Sequence, residues 1–250
     1  LPILLGKATK IAKLLTKAGK EYVGVLYLHG DVSDEALLSA LEEFKGLIFQ
    51  RPPIKSTVKR RLRTRRIHNI EFIEKQDRYV LLRVSVEAGT YIRKLFHDIG
   101  EFLGCGASMR ELRRTRAGPL RESESITLQE LERAVVMWED ARDDTYLRER
   151  IRPLESIVTQ LLPRIVVKDT AVAAIAHGAS VKIPGICAFS GEIRKGDLVG
   201  VFTLKGELIA LARAIVSSEE LIQLDKGIAA ETSRVIIDRD LYPALWKKDE

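Results

Sequence analysis

The sequence predicts an α+β protein: a sheet with helices over residues 1–162, then a small, mostly β, barrel-like module over 163–250. Three observations predict it. Apolar residues alternate through 22–28, 69–73 and 79–86, the period of strands. Ile92, Leu95, Phe96, Ile99, Phe102 and Leu103 recur at helical spacing and mark one buried stripe. Beyond Pro163 the texture changes to short alternating runs broken by frequent glycine.

The 250 residues are enough for one large domain or for a large and a small one, and 46% apolar content is ordinary for a globular chain. No apolar run approaches the roughly 18 residues of a membrane span. Cys105 and Cys187 are too few for a disulfide framework, which fits a reducing interior. With four scattered histidines they show no ligand spacing, so no structural zinc site is expected. Charge is uneven. Residues 1–160 hold 29 Lys/Arg against 23 Asp/Glu, and the remaining 90 hold 12 of each, so the whole +6 excess lies in the first part. A polyanionic partner is expected there.

The chain opens on an apolar run without an initiator Met and reads as beginning mid-protein. A helix over 8–18 turns Ile11, Leu14, Leu15 and Ala18 one way and Lys10, Lys13 and Lys17 another, those lysines being either solvated or against phosphates. The strand at 22–28 is apolar on both faces, hence central. Ser33 caps a helix with Leu37, Leu38, Leu41 and Phe44 inward and Gly46 at its close. From 48 to 67 come eight basic residues (Arg51, Lys55, Lys59, Arg60, Arg61, Arg63, Arg65, Arg66) and no acidic one. Pro52 and Pro53 prevent pairing at its start, so it reads as a long cationic loop or ribbon. Like charges at that density repel, and a nucleic-acid backbone relieves them.

Gly89 breaks the strand before the 92–103 helix, and Gly104 and Gly106 end that helix. Arg93 sits in its first turn, where the helix dipole disfavours a cation. It needs an anion: a surface carboxylate, an RNA phosphate or a buried catalytic Asp. Arg110, Arg113, Arg114 and Arg116 make a second basic cluster. Thr127 and Glu130 form a capping box for a helix with Leu128, Leu131, Val135 and Trp138 inward. Past 163, a helix over 170–177 ends at Gly178, and 197–204 joins 207–215 in a hairpin through Lys205-Gly206. There are no repeats.

Four motifs in the first part, KEYVGVLYLHGDV, QRPPIKSTVKRRLRTRRI, AGTYIRKLFHDIG and GASMRELRRTRAGPL, resemble in this order the dyskerin family, the RNA-guided pseudouridine synthases of box H/ACA ribonucleoproteins. In the second part DTAVAAIAHGASVKIPGI, GDLVGVFTLKGELIAL and RDLYPALW are similar to that family's PUA domain and its ending. The resemblance covers essentially the whole chain and favours an archaeal member. It implies a catalytic domain over 1–162, with a mixed, mainly antiparallel sheet and flanking helices, and a PUA domain over 163–250.

The family isomerises uridine to pseudouridine with a nucleophilic Asp in a GTLDP-type motif. The resemblance puts that motif directly before residues 1–6, so the catalytic Asp is expected upstream of Leu1. Asp31 and Asp98 read as structural and are not promoted in its place. By resemblance Arg93 is expected to pair with the Asp and Tyr22 to stack on the target base and take its C5 proton, while Tyr91, Ile92 and Leu112 line the pocket. Without the resemblance Tyr22, Ile92 and Leu112 read as core packing. Residues 48–66 align with a thumb loop that grips RNA through Arg51, Lys55, Lys59, Arg60, Arg61 and Arg63, joined by Arg113 and Arg114. Lys168, His177, Gly178 and Lys182 are the expected RNA contacts of the PUA domain.

No metal or organic cofactor is implied. Implied partners are box H/ACA guide RNA and substrate RNA, a small zinc-ribbon-type subunit, a small β-barrel subunit regulating the thumb loop, and a kink-turn-binding protein reached through RNA. No membrane is implied; the expected location is cytoplasmic, or nucleolar in a eukaryote. Three functions stay open at this point: a guide-directed enzyme acting on rRNA and tRNA in ribosome biogenesis, a stand-alone tRNA pseudouridine synthase, and an RNA-binding scaffold without activity. Upstream sequence carrying the Asp separates the first two from the third.

Overall fold

The computed structural model describes residues 1–52, 59 and 61–243. Its two compact units are 1–2 with 13–125, and 3–12 with 126–250.

The first unit is built on a sheet. After the short helix α1 (Ala12–Lys17), β1 (Lys20–Leu28) leads to α2 (Asp34–Glu43), then to β2 (Gly46–Gln50), β3 (Arg63–Gln76) and β4 (Tyr79–Val86). Helix α3 (Ile92–Phe102), β5 (Ala107–Ala117) and the short β6 (Leu120–Arg121) follow. The strands order as β2-β3-β4-β1-β5-β6, every neighbour antiparallel. The central place expected for 22–28 is therefore observed, β1 lying between β4 and β5.

Local chemistry explains the elements. Ser33 Oγ accepts from the Ala36 backbone N–H at 3.2 Å and caps α2, with Asp34 and Glu35 in its first turn. Leu37 and Leu41 enter the core, as do Leu26, Leu28, Ile70, Leu82, Val84, Leu95, Phe96 and Ile99. Two side chains expected inward are outside. Leu38 is exposed, and Phe102 is 60% exposed because it closes the last turn of α3 and meets Phe44 edge-on at 5.8 Å between ring centres. The separate strand expected at 69–73 is part of a longer one, since β3 already starts at Arg63 and pairs with β2 from Gly46↔Ile67 to Gln50↔Arg63. The cationic segment is thus rooted in a two-stranded ribbon.

In the second unit α4 (Leu128–Ala141), α5 (Thr145–Arg150) and α6 (Leu154–Leu161) precede β7 (Arg164–Val167), α7 (Asp169–Ala176), β8 (Val181–Lys182) and β9 (Ile186–Ser190). The hairpin β10 (Leu198–Phe202) and β11 (Leu208–Ala214), then α8 (Ser218–Gln223) and β12 (Ile228–Val235), complete it. Strand order is β8-β12-β11-β10-β7-β9, with β7 and β10 parallel and the rest antiparallel. The capping box opens α4 as expected: Thr127 Oγ1 accepts from Glu130 N–H at 3.2 Å, and Glu130 Oε2 from Thr127 N–H at 2.7 Å. The expected inward face of α4 is not buried, however. Ala134 alone is, while Leu128 and Trp138 stand exposed, the main packing partner of α4 being the short α5. Residues 3–12 are tied to this unit by Lys10 Nζ donating to Val235 O at 2.7 Å and by the Lys7–Asp238 ion pair.

Candidate RNA-modifying site

Residues 22, 24, 26 and 28 of β1 turn to the face that α3 covers, Leu26 and Leu28 being fully buried. Two contacts set how α3 crosses that face. Near its C-terminal end Gly100 lies directly against the Ala107 backbone, and Ala107 pairs with Leu28. One turn earlier, Phe96 stands over Gly24. The helix therefore runs parallel to β1. Its first turn, about 6 Å further back along the axis, begins toward the Tyr22 end.

At that end the register brings several of the expected residues onto one face. Tyr22 lies opposite Val84 on β4 and Arg114 on β5, and Gly24 opposite Leu82 and Leu112. Tyr22 is half-buried against the core; Leu112 is 39% exposed, its Cδ1 in the space a glycine leaves at position 24. Ile92 is buried and Tyr91 half-buried at the start of α3. Arg93 is exposed, and among the described residues no carboxylate pairs with it or with Arg114. The helix has no acidic residue in its first turn and no side-chain cap.

Asp31 and Asp98 are both engaged. Arg78 Nε donates to Asp31 Oδ1 at 2.8 Å, and that guanidinium holds the Asp31 carboxyl below the usual range. Asp98 pairs with Lys94 one turn away. A cavity of about 340 Å³ bounded by Tyr27, Asp31, Val32, Lys75, Asp77, Arg78 and Tyr79 opens at the far end of β1 from Tyr22. Its main charges are already paired, Lys75 with Asp34 at 2.6 Å as well as Arg78 with Asp31.

The cationic residues distribute along the ribbon. Arg51, Lys59 and Arg61 are exposed and Arg63 begins β3, donating to Lys59 O at 3.1 Å. Lys55 and Arg60 lie outside the described residues. Arg113 is exposed on β5 and paired with Glu122 at 2.7 Å. In the second unit Lys168, at the N-terminus of α7, donates to Pro184 O at 2.9 Å. His177 Nδ1 lies 2.8 Å from Ala173 O at the other end of α7, beside Gly178 at φ +97°. Lys182 is exposed on β8.

Sequence reasoning missed one residue here. Gln50 is 2% exposed, a rare buried polar side chain in this chain, and its carboxamide makes two bonds to one residue. Oε1 accepts from Tyr91 N–H at 3.0 Å and Nε2 donates to Tyr91 O at 3.2 Å. The signal was a lone carboxamide ending the apolar run Leu47-Ile48-Phe49, but the partner is 41 positions away.

A sheet face carrying an aromatic ring and a guanidinium group with no carboxylate partner among the described residues, near a cationic ribbon, is the construction of a protein that handles nucleic-acid strands. Models of known families match nearly the whole length: the TruB family pseudouridylate synthase N-terminal domain at 1–92, the tRNA pseudouridylate synthase B C-terminal domain at 93–159, and the PUA domain at 163–236. A "Probable tRNA pseudouridine synthase B" of Korarchaeum cryptofilum is 53% identical over 99% of this chain and 76% of its own. One so described from Pyrococcus furiosus is 49% identical over 99% and 73%. Among solved structures, "Crystal Structure of a Cbf5-Nop10-Gar1 Complex" matches at TM-score 0.90 and 48% identity, over 96% of this chain and 73% of that one. "Structure of H/ACA RNP bound to a substrate RNA containing 2'-deoxyuridine" matches at 0.88 and 46%, over 97% and 73%. The chain belongs to the TruB family of pseudouridine synthases, isomerases that turn uridine in RNA into pseudouridine, and carries a PUA domain.

Proposed function

We propose that this chain is the catalytic subunit of a box H/ACA-type ribonucleoprotein, isomerising uridines that a guide RNA selects in rRNA, with tRNA as a further substrate. The reading rests on one observation: Arg93 starts α3 toward the Tyr22–Arg114 end of the sheet, exposed and without a carboxylate partner among the described residues. It is supported by the similarity to chains solved in H/ACA complexes.

The reaction breaks the bond from ribose C1′ to N1 of the base, rotates the base, joins C1′ to C5, and removes the C5 proton while N1 takes up a proton. A carboxylate attacks or stabilises the sugar, contributed in this reading by sequence preceding Leu1. Arg93 keeps it ionised and aimed, since an adjacent guanidinium favours the charged form. Tyr22 stacks on the extruded base and takes the C5 proton, with Tyr91, Ile92 and Leu112 as walls. The basic residues of the segment 48–66, with Arg113 and Arg114, neutralise the RNA backbone. Residues 1–162 act as the catalytic domain and 163–250 as the PUA domain, which seats the ACA end of the guide through Lys168, His177, Gly178 and Lys182. A zinc-ribbon subunit and a β-barrel subunit bind the protein, and a kink-turn-binding protein joins through RNA.

The test is Arg93→Ala in the full-length protein, with pseudouridine formation followed as tritium release from 5-³H-uridine RNA. A loss of turnover of at least about 10²–10³-fold with guide-RNA binding largely kept is expected. Equal loss of binding and activity sinks the assignment. Intact mass with N-terminal peptide sequencing checks the upstream carboxylate, without which only an RNA-binding scaffold is left. The names of the curated relatives favour a second reading, a stand-alone tRNA enzyme; turnover on a tRNA transcript without guide RNA would establish it.

A further inference from the structure

We infer that Gln50 is a positioning residue, which locks the root of the cationic ribbon to the start of the helix carrying Arg93, so that RNA engagement and Arg93 placement are coupled. The inference rests on the proposed role of Arg93.

The turn at 89–91 touches a side chain from each of the two strands from which the ribbon springs. From β2, the Gln50 carboxamide meets both the N–H and the carbonyl of Tyr91, as a neighbouring strand does. From β3, the Arg65 guanidinium lies over Gly89, so that a methyl group there would be 3.1 Å from Nη2. Gly89 has φ +82°, so this turn is one a side chain would strain.

Tyr91 is the residue before the first turn of α3, and its carbonyl also accepts the opening helical bond from Leu95 N–H at 3.0 Å. No side chain caps this helix end. The Gln50 bonds are what orient the peptide two residues before Arg93. They are also costly to lose, because Gln50 is buried and a carboxamide without partners in that position is strongly penalised. On the other side Gln50 is followed directly by Arg51 and the charge-dense segment. A pull on the ribbon by a bound RNA backbone therefore reaches the first turn of α3 through Gln50, beside the link of Arg66 to Glu87 before the turn.

Gln50→Met keeps the volume and removes both bonds; Gln50→Glu keeps the acceptor toward Tyr91 N–H but, ionised, faces the Tyr91 carbonyl with a second acceptor. The experiment uses the full-length protein with its RNA and compares single-turnover rate at saturating RNA, RNA Kd and thermal midpoint. Expected for Gln50→Met is a rate loss of about 10–100-fold, the scale of a misplacement near 1 Å, with Kd within about 3-fold and the protein folded. Gln50→Glu should regain rate as pH falls and its carboxyl becomes a donor again. Arg93→Lys should cost less in the Gln50→Met background than alone, since coupled residues are non-additive. An unchanged rate, or a loss that is additive with Arg93→Lys, overturns the inference. Arg93→Ala run beside them separates the two readings: if it stays active the Arg93 role itself fails, whereas an inactive Arg93→Ala beside a fully active Gln50→Met removes Gln50 alone.

Discussion

Gly24→Ala tests how closely α3 and β5 approach at the Tyr22 end. A methyl at Gly24 would lie 2.9 Å from Leu112 Cδ1, 3.1 Å from Phe96 Cε2 and 3.2 Å from the Glu111 carbonyl oxygen. Carbon pairs settle at about 3.5–4.0 Å, so Leu112 must retreat by at least about 0.6 Å and Phe96 by about 0.4 Å. Leu112 is 39% exposed and has somewhere to go; Phe96 is fully buried and has not. Overpacking of this kind costs about 1–3 kcal/mol, and replacing a strand glycine returns about 0.5–1 kcal/mol. The net expectation is a loss of roughly 1–2 kcal/mol, read as a lower urea midpoint. Leu112→Ala added to Gly24→Ala removes the first clash, so the pair should cost less than the sum by about 0.5–1.5 kcal/mol. A Gly24→Ala protein as stable as the parent, or strict additivity in the pair, refutes the close approach and with it the path of α3 across the face.

Further outcomes are expected. Gly100→Ala should be more damaging, since its methyl would run into the Ala107 backbone, where no side chain can yield; circular dichroism melting should drop well beyond the about 1 kcal/mol that helix propensity returns. The Lys20 ammonium, bonded to the carbonyls of Leu15, Thr16 and Ala18, is held below its ordinary 10.5 first by burial and then by Arg114. Its unfolded form keeps the proton longer, so stability should rise with pH between the lowered value and 10.5, and Lys20→Met should flatten that slope in urea titrations. The Tyr242 hydroxyl donates to Glu207 and, ahead of Thr203, holds that carboxyl below its usual 4.5. That contribution is present above 4.5 and is lost as pH falls through the lowered value, so Tyr242→Phe should lower the thermal midpoint at neutral pH and leave the acid end nearly unchanged.

What could be read in the sequence was what local chemistry decides. The Ser33 cap, the Thr127–Glu130 box and the Lys205-Gly206 turn each need only neighbours within three or four positions, and each is formed. Burial at element ends was harder. Phe102 and Leu128 fit their helical stripes, yet each sits at a terminus where the packing partner runs out. Long-range pairing was out of reach: Lys10 reaches Val235 across 225 positions, and Gln50 reaches Tyr91 across 41. A side chain seeking a backbone group leaves no periodicity for a reader to find.

One misfit was legible, and the proposed site is built on it. A cation in the first turn of a helix opposes the helix dipole, at a cost of about 0.3–1 kcal/mol, and α3 does nothing locally to offset it, having neither a cap nor an acid there. Acids stand in the first turns of α2, α4, α6, α7 and α8, though not of the short α1 and α5. Sequences that agree with themselves at every other level break a local rule where function asks for it. The structure adds that α3 begins toward the Tyr22–Arg114 end of the sheet with Arg93 exposed, while Asp31 and Asp98 are already engaged with Arg78 and Lys94. Cations gathered on a sheet face repel one another and are held there by the packing of α3 against β1 and β5. In the proposed reading the carboxylate that enters this face meets a field assembled during folding, which stabilises its charge without further reorganisation of the protein.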